Sequence, residues 1–247
     1  MSQFVSPKLS TPFLVTAQQA EIIRAMRRRG VISRTDIAMM TGWSRAKITN
    51  EVGLLIEKSF IKEVGDGKSE GGRRPRLLSI NNELGFLVGV DIGATSVDLA
   101  LADVCGHVFQ RRSEAADVSN PPDVLLGRVS QMIHEMVQAQ QIDPGKIYGI
   151  GVGVPGPVEF SRGTLVAPPL MPDWDNFSVR RYFEAAFPSA FVMVDNDVNI
   201  MALGEFYTSG KINPDNFIFV KIGTGIGAGI VSNGKIHRGD TGCAGDI

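Results

Sequence analysis

The sequence predicts an α+β module followed by an α/β region. The first is a winged helix-turn-helix over residues 16–80, and the second is a duplicated strand–glycine-turn–strand architecture. Three observations predict this. Residues 1–80 carry fourteen Lys or Arg against seven Asp or Glu, whereas the remaining residues carry eleven against nineteen, so a net charge of −1 conceals a basic part joined to an acidic one. Three capped segments with apolar residues at helical spacing lie within residues 16–56. From residue 86 onward, buried-strand runs alternate with glycines, and Val-x-Ile-Gly occurs twice.

The first helix starts at Thr16, with Gln19 three residues on as a capping box. It buries Ile22, Ile23 and Met26 and ends at Arg27-Arg28-Arg29-Gly30. The second starts at Ser33 with Asp36 in its first turn and turns Ile37 and Met40 inward. Thr41-Gly42-Trp43 makes the turn, and Ser44 caps a third helix with Ile48, Val52, Leu55 and Ile56 on one stripe. That stripe leaves Arg45, Lys47, Thr49 and Asn50 facing outward, beside the cap Ser44. Donors of this kind, on the first turns of the second helix of a helix-turn-helix, read base edges and phosphates. A strand at Ile61–Val64, a glycine-rich tip at residues 65–72 and a return strand at Arg76–Ile80 form the wing. Its Arg73, Arg74 and Arg76 are placed for phosphate or the minor groove. The bland alternative, a solvated basic helical domain, does not explain why caps, turn, stripe and basic wing fall in this order. Residues 1–15 are expected to be a mobile leader.

In the α/β region (residues 84–205, with a second unit at 206–247), Phe86–Ile92 is a strand that meets Gly93-Ala94-Thr95-Ser96. Val97–Ala102 follows, then a Gly106 turn, and a third strand begins at Val108–Gln110. The pattern returns as Phe217–Ile222, Gly223-Thr224-Gly225-Ile226-Gly227, Ala228–Val231, an Asn233-Gly234 turn and Lys235–His237. Aligning Val90-Asp91-Ile92-Gly93 with Val220-Lys221-Ile222-Gly223 brings the two copies into register. Two such turns can cradle phosphate, because glycine admits close backbone approach and successive amides form an anion-binding concavity. Either turn alone would read simply as a hairpin. No Walker loop is present. Gly151-Val152-Gly153-Val154-Pro155-Gly156 spells a dinucleotide fingerprint, but Pro157-Val158 follows instead of a helix, so it is rejected as one.

Between the copies, residues 121–141 predict a helix burying Val124, Leu125, Val129, Met132, Ile133 and Met136. Ile147–Val154 and Phe191–Val194 are buried strands, and Ile200–Phe206 is helical. The second strand ends at Asp195-Asn196-Asp197, where α/β folds place ligand chemistry. Asp197 could accept a proton from a sugar hydroxyl, with Asn196 bonding its neighbour, or an aspartate here could cap the following helix; spacing does not choose.

Taken together, the winged module, Asp91-Ile92-Gly93-Ala94-Thr95, Gly151–Gly156, Asn196-Asp197, Gly223–Gly227 and Gly239-x-x-Gly242-x-Ala244-Gly245-Asp246 resemble the ROK family (repressors, open reading frames, kinases), more closely its sugar-responsive repressors. The resemblance implies an actin-like, hexokinase-like (ribonuclease H-type) domain with a partial second copy. It also implies a sugar or sugar-derivative effector, operator DNA as partner, and a homodimer or higher homo-oligomer. It assigns sugar binding to Asn196, Asp197 and Asp246, with Asp197 the catalytic base in kinase members, and phosphate loops to Gly93 and Thr95 and to Gly223, Thr224 and Gly225.

Departures from the family pattern weigh against catalysis. Ala94 and Ser96 replace a glycine and a lysine common in the kinases, which weakens phosphate binding, and Pro169 stands where a sugar-contacting asparagine is frequent. The chain ends at Ile247, where the family continues into a cysteine-rich zinc loop. The expectation is therefore an incomplete ATP site, no zinc or other metal, no cofactor and no enzymatic activity. An apolar face of the 217–237 hairpin should also be left uncovered. Cys105 and Cys243 lack ligand spacing, and His107, His134 and His237 form no recognisable cluster. No 18-residue apolar run or signal peptide is seen, and cytoplasmic location without membrane association is expected. The leading function is a sugar-sensing transcriptional repressor. The alternatives are a sugar kinase with a DNA-binding arm and a constitutive DNA binder with a vestigial sensor.

Overall fold

A computed structural model describes residues 15–68, 74–208, 215–223, 225–240 and 242–245. The chain divides into two compact units, Met1–Gly85 with Asp103–His107, and Phe86–Ala102 with Val108–Ile247. Among the described residues, no helix is long and apolar enough to cross a membrane.

The first unit packs three helices on a small antiparallel sheet. Helix α1 (Ala17–Arg29) starts at the Thr16/Gln19 capping box and stops at Gly30, whose φ of 74° suits glycine. A two-residue strand β1 (Ile32–Ser33) leads into α2 (Arg34–Thr41), where Ser33 and Asp36 cap each other reciprocally. Gly42 then takes a left-handed conformation, and α3 (Arg45–Glu57) begins at the Ser44 cap. Strands β2 (Ile61–Asp66) and β3 (Arg76–Ile80) pair antiparallel, and β3 also takes β1, a strand too short to show a sequence period. The core comprises Ile22, Met26, Ile32, Ile37, Ile48, Val52, Leu55, Ile61 and Leu78, with Ile23 and Ile56 packed against it. Met40 is a correction. It is 39% exposed, because the final turn of an eight-residue helix lies beyond the reach of α1 and α3.

The second unit centres on a mixed five-stranded sheet in the order β10-β7-β4-β5-β6. Its strands are β4 (Phe86–Ile92), β5 (Ser96–Asp103), β6 (Val108–Ala115), β7 (Ile147–Val154) and β10 (Phe191–Asn196). β4, β7 and β10 run parallel, whereas β5 and β6 form an antiparallel hairpin. Helix α4 (Pro122–Ala139) covers one face with Leu125, Leu126, Val129, Met132, Ile133, Met136 and Val137. Val124, expected to be buried, is 60% exposed; it sits in the first turn just off the stripe, and Leu126 and Val137 take part instead. After β7 the chain continues into a short hairpin, β8 (Val158–Glu159) with β9 (Thr164–Leu165), so no helix follows the Gly151–Gly156 glycines. Helix α5 (Val179–Ala186) buries Val179 and Phe183 beside Trp174; its eight residues were too few to show a helical period in the sequence.

Helix α6 (Asp197–Thr208) starts directly from β10, three residues earlier than the apolar pattern suggests. A second sheet, β11 (Phe217–Ile222), β12 (Ile226–Ser232) and β13 (Lys235–His237), is antiparallel throughout. It packs on α6 through Ala202, Phe206 and Val231, with Phe217, Phe219 and Ile236 alongside. The order β11-β12-β13 repeats β4-β5-β6, as the aligned Val-x-Ile-Gly motifs require.

Candidate functional site

In the first unit, the register of α3 fixes which side chains face solvent. Ile48, Val52 and Leu55 are fully buried, so the opposite side presents Arg45, Lys47, Thr49 and Asn50, all exposed. The Ser44 hydroxyl accepts from the Lys47 amide at 3.3 Å, which satisfies one free N–H of the first turn. The Lys47 ammonium lies 3.8 Å above the Trp43 ring, and the Thr49 hydroxyl donates to the Arg45 carbonyl at 2.9 Å. Arg45 and Asn50 therefore extend from a firmly set helix start. In the β2–β3 hairpin, Arg74 is exposed, while Arg76 lies 3.5 Å from Glu63 and 3.7 Å from Asp66. Arg73 falls outside the described residues.

In the second unit, the end of β10 gathers polar groups. Asp195 is buried and accepts from the Asn199 side chain at 3.0 Å. Its other oxygen accepts from Arg238 at 2.7 and 3.0 Å, and that guanidinium lies 3.8 Å over the Phe160 ring. The Asn196 carbonyl oxygen caps α6 by accepting from the Val198 and Asn199 amides, and its nitrogen donates to the Gly156 carbonyl at 3.2 Å. The main cap of the helix is thus the Asn196 side chain and not an aspartate, and the Asp197 carboxylate lines the cleft. Asp197 is 5% exposed; one oxygen accepts from the Val198 amide and the other from the Lys221 ammonium at 2.6 Å.

A cavity of about 180 Å³ opens here, and Ala94, Asn196, Asp197, Lys221, Gly225 and Gly227 are among its lining residues. The two glycine turns therefore face one cleft, as their duplication suggested. Gly93 and Gly223 spend their amides within their own turns, on the Ser96 and Gly225 carbonyls at 2.8 and 2.9 Å, and the Thr95 carbonyl accepts from Ala116. Thr224 and Asp246 fall outside the described residues. Asp91, Asp195, Lys221 and Arg238 were not singled out as site residues. For Asp91 and Lys221 a signal existed, since the aligned repeats place them at equivalent positions. For Arg238 none did, because its partner lies 43 residues away in sequence.

Gly153 shows how the site is kept compact. A Cβ there would lie 3.2 Å from an Asp91 oxygen and 3.3 Å from the Asp197 Cα. Burial pushes the Asp91 carboxyl above its usual range, the Asp197 charge pushes it further, and Lys221 opposes both. Elsewhere, Asp103, Cys105 and His107 each bring one ligand atom within 4.8 Å of the others, a grouping not expected from sequence. The Asp103 carboxylate there accepts from the Cys105 and His107 amides and faces the His107 ring at 3.1 Å, the arrangement of a carboxylate-built turn.

A family model described as the ROK family matches residues 87–247. The chain is 32% identical over 228 residues to a xylose repressor of Caldicellulosiruptor bescii, covering 92% of this chain and 56% of that protein. It is 28% identical to the xylose repressor of Bacillus subtilis, covering 95% of this chain and 60% of that protein. Among solved structures, a ROK family transcriptional regulator described as a homolog of the Escherichia coli MLC protein matches with a TM-score of 0.71 at 26% identity. That match covers 92% of this chain and 58% of the other. A ROK family glucokinase from Streptomyces griseus, in complex with glucose and AMPPNP, matches 65% of this chain and 49% of its own, with a TM-score of 0.53 at 28% identity. The matches thus span about half to three fifths of the length of these relatives.

Proposed function

Because the chain belongs to the ROK family, we propose that it is a DNA-binding transcriptional repressor whose second unit senses a sugar. The first unit is read as a winged helix-turn-helix, with α3 as the groove-reading helix and β2–β3 as the wing. One observation carries this reading. Helix α3 is firmly capped at Ser44, seals one side with Ile48, Val52 and Leu55, and presents Arg45, Lys47, Thr49 and Asn50 on the other. The likeness to repressors extends over this module, whereas the glucokinase likeness covers only about two thirds of the chain.

The sensor reading rests on Asn196 and Asp197 at the strand end, with Asp246 as a further sugar contact. The effector is a sugar or sugar derivative. D-xylose is the first candidate, since the relatives are named for it. Sugar occupancy would act by binding one arrangement of paired reading heads better than another, in a homodimer or higher homo-oligomer within the cytoplasm. A second reading, a sugar kinase with a DNA-binding arm, is favoured by the position of Asp197 in the cleft. It is opposed by the Lys221 pair on that carboxylate and by the turn amides of Gly93 and Gly223, already engaged.

The test begins with selection of duplexes from a random pool, followed by anisotropy titrations over a salt series, with and without D-xylose or D-glucose. Tight binding with a steep salt slope, weakened by a sugar, is expected. Alanine at Arg45 or Asn50 should each cost about 1–3 kcal/mol and relax base preference, while alanine at Arg74 should mainly flatten the salt slope. Unchanged affinity in all three variants would reject the regulator reading. Sugar-dependent conversion of ATP to ADP, with a sugar phosphate formed, would favour the kinase.

A further inference from the structure

The charges that meet at the end of β10 come from different parts of the chain. Repeat alignment sets Asp91 of the first copy at the same place as Lys221 of the second, so equivalent positions bring opposite charges to one cleft. Asp91 approaches Asp197 through the gap that Gly153 leaves, and a side chain at Gly153 would press on both residues. Two carboxylates, Asp197 buried and Asp91 partly buried, beside glycine turns make the oxygen-rich setting that a hydrated divalent cation bound to nucleotide phosphates seeks.

Here an ammonium is already present. Lys221 shares a face of β11 with Phe217 and Phe219, the face that packs on α6, and strand alternation therefore aims it at the first residue of that helix. Its nitrogen is 2.6 Å from the Asp197 carboxylate, whose side chain is 7% exposed, while the lysine side chain stays one-third exposed. At that separation the attraction is strong, and a second cation would meet repulsion of similar size. Asp195 cannot serve instead, because both of its oxygens are occupied by Arg238, Asn199 and the Asn196 amide.

We propose that the Lys221 ammonium is the resident cation of this cleft, occupying the place between Asp91 and Asp197 that a divalent ion would otherwise take. The residues present thus do not fit a metal–nucleotide, and the cleft is set to receive an uncharged polyol. Lys221 is a specificity-determining residue that acts by excluding one ligand class. The inference uses the same cleft as the proposed sensor, but its test reads metal binding by the 247-residue chain. Failure of this inference would leave the repressor reading standing, and loss of DNA binding would leave this inference standing.

The experiment titrates the chain with Mn²⁺ and follows the free ion by electron paramagnetic resonance, for wild type, Lys221→Met and Lys221→Met/Asp197→Asn. Wild type should show no site tighter than about millimolar, Lys221→Met should bind about tenfold or more tightly, and the double variant should lose that gain. Micromolar binding by wild type that Asp197→Asn alone abolishes would overturn the proposal, as would unchanged affinity in a folded Lys221→Met. If circular dichroism shows that Lys221→Met has lost its fold, Lys221→Gln, which keeps a donor for Asp197, is judged by the same gain.

Discussion

At Asp91, one side chain shows how this cleft trades stability for a charge. Its carboxyl is pushed above the ordinary value of 3.8, first by burial and then by Asp197. The folded state therefore holds this proton more tightly than the unfolded chain, and stability attributable to Asp91 falls as pH rises through and above 3.8. Asp91→Asn should accordingly raise the melting temperature at pH 7 and leave it nearly unchanged near pH 3, as followed by calorimetry. An equal shift at both pH values would mean that shape, and not ionisation, governs the site. Residue roles of this kind were partly legible in the sequence. Asn196-Asp197 announced itself at the end of an apolar run, but which residue caps the helix depended on backbone direction, and Lys221 became a partner only once β11 lay against α6.

At the scale of elements, the glycines of β12 change meaning on folding. In the sequence, Gly225 and Gly227 read as parts of a phosphate turn. In the fold, Gly227 and Gly229 also let β12 lie close to α6: a Cβ on Gly229 would stand 2.5 Å from the Ala202 Cβ and 2.7 Å from the Val198 carbonyl oxygen. Backbone on one side leaves little room to yield, so Gly229→Ala should cost about 1–3 kcal/mol in urea unfolding. A neutral substitution would show that the sheet can lift from the helix. The long elements α1, α3, α4, β4 and β7 were readable from their strong apolar patterns, with agreeing caps besides in α1 and α3. Those that escaped, β1, β8, β9 and α5, are short, and tertiary partners specify them. Met40 and Val124 went astray for a related reason, since apolar character at a helix end does not ensure that a neighbour covers it.

Across the whole molecule, the duplication was legible because the aligned motif survives in both copies. How each copy is covered was not, since that depends on what packs against it. The outer face of β11 carries Ile218, Val220 and Ile222, which are 64, 51 and 80% exposed, on an edge strand. Such a row invites pairing with another chain. Sedimentation velocity on the 247-residue chain should show concentration-dependent association, and lysine at Ile218 and Val220 should suppress it; concentration-independent behaviour would count against an adhesive edge. The placement of the two tryptophans has a different consequence. Trp174 is sealed in the second unit with its indole N–H on the Asn120 carbonyl, whereas Trp43 sits half-open beneath the Lys47 ammonium at the start of α3. Iodide should therefore quench the emission of one indole and spare the other, so the quenchable fraction reports on the start of α3 while the protected fraction serves as an internal reference. The protein carries its own two-channel optical probe, with no label attached.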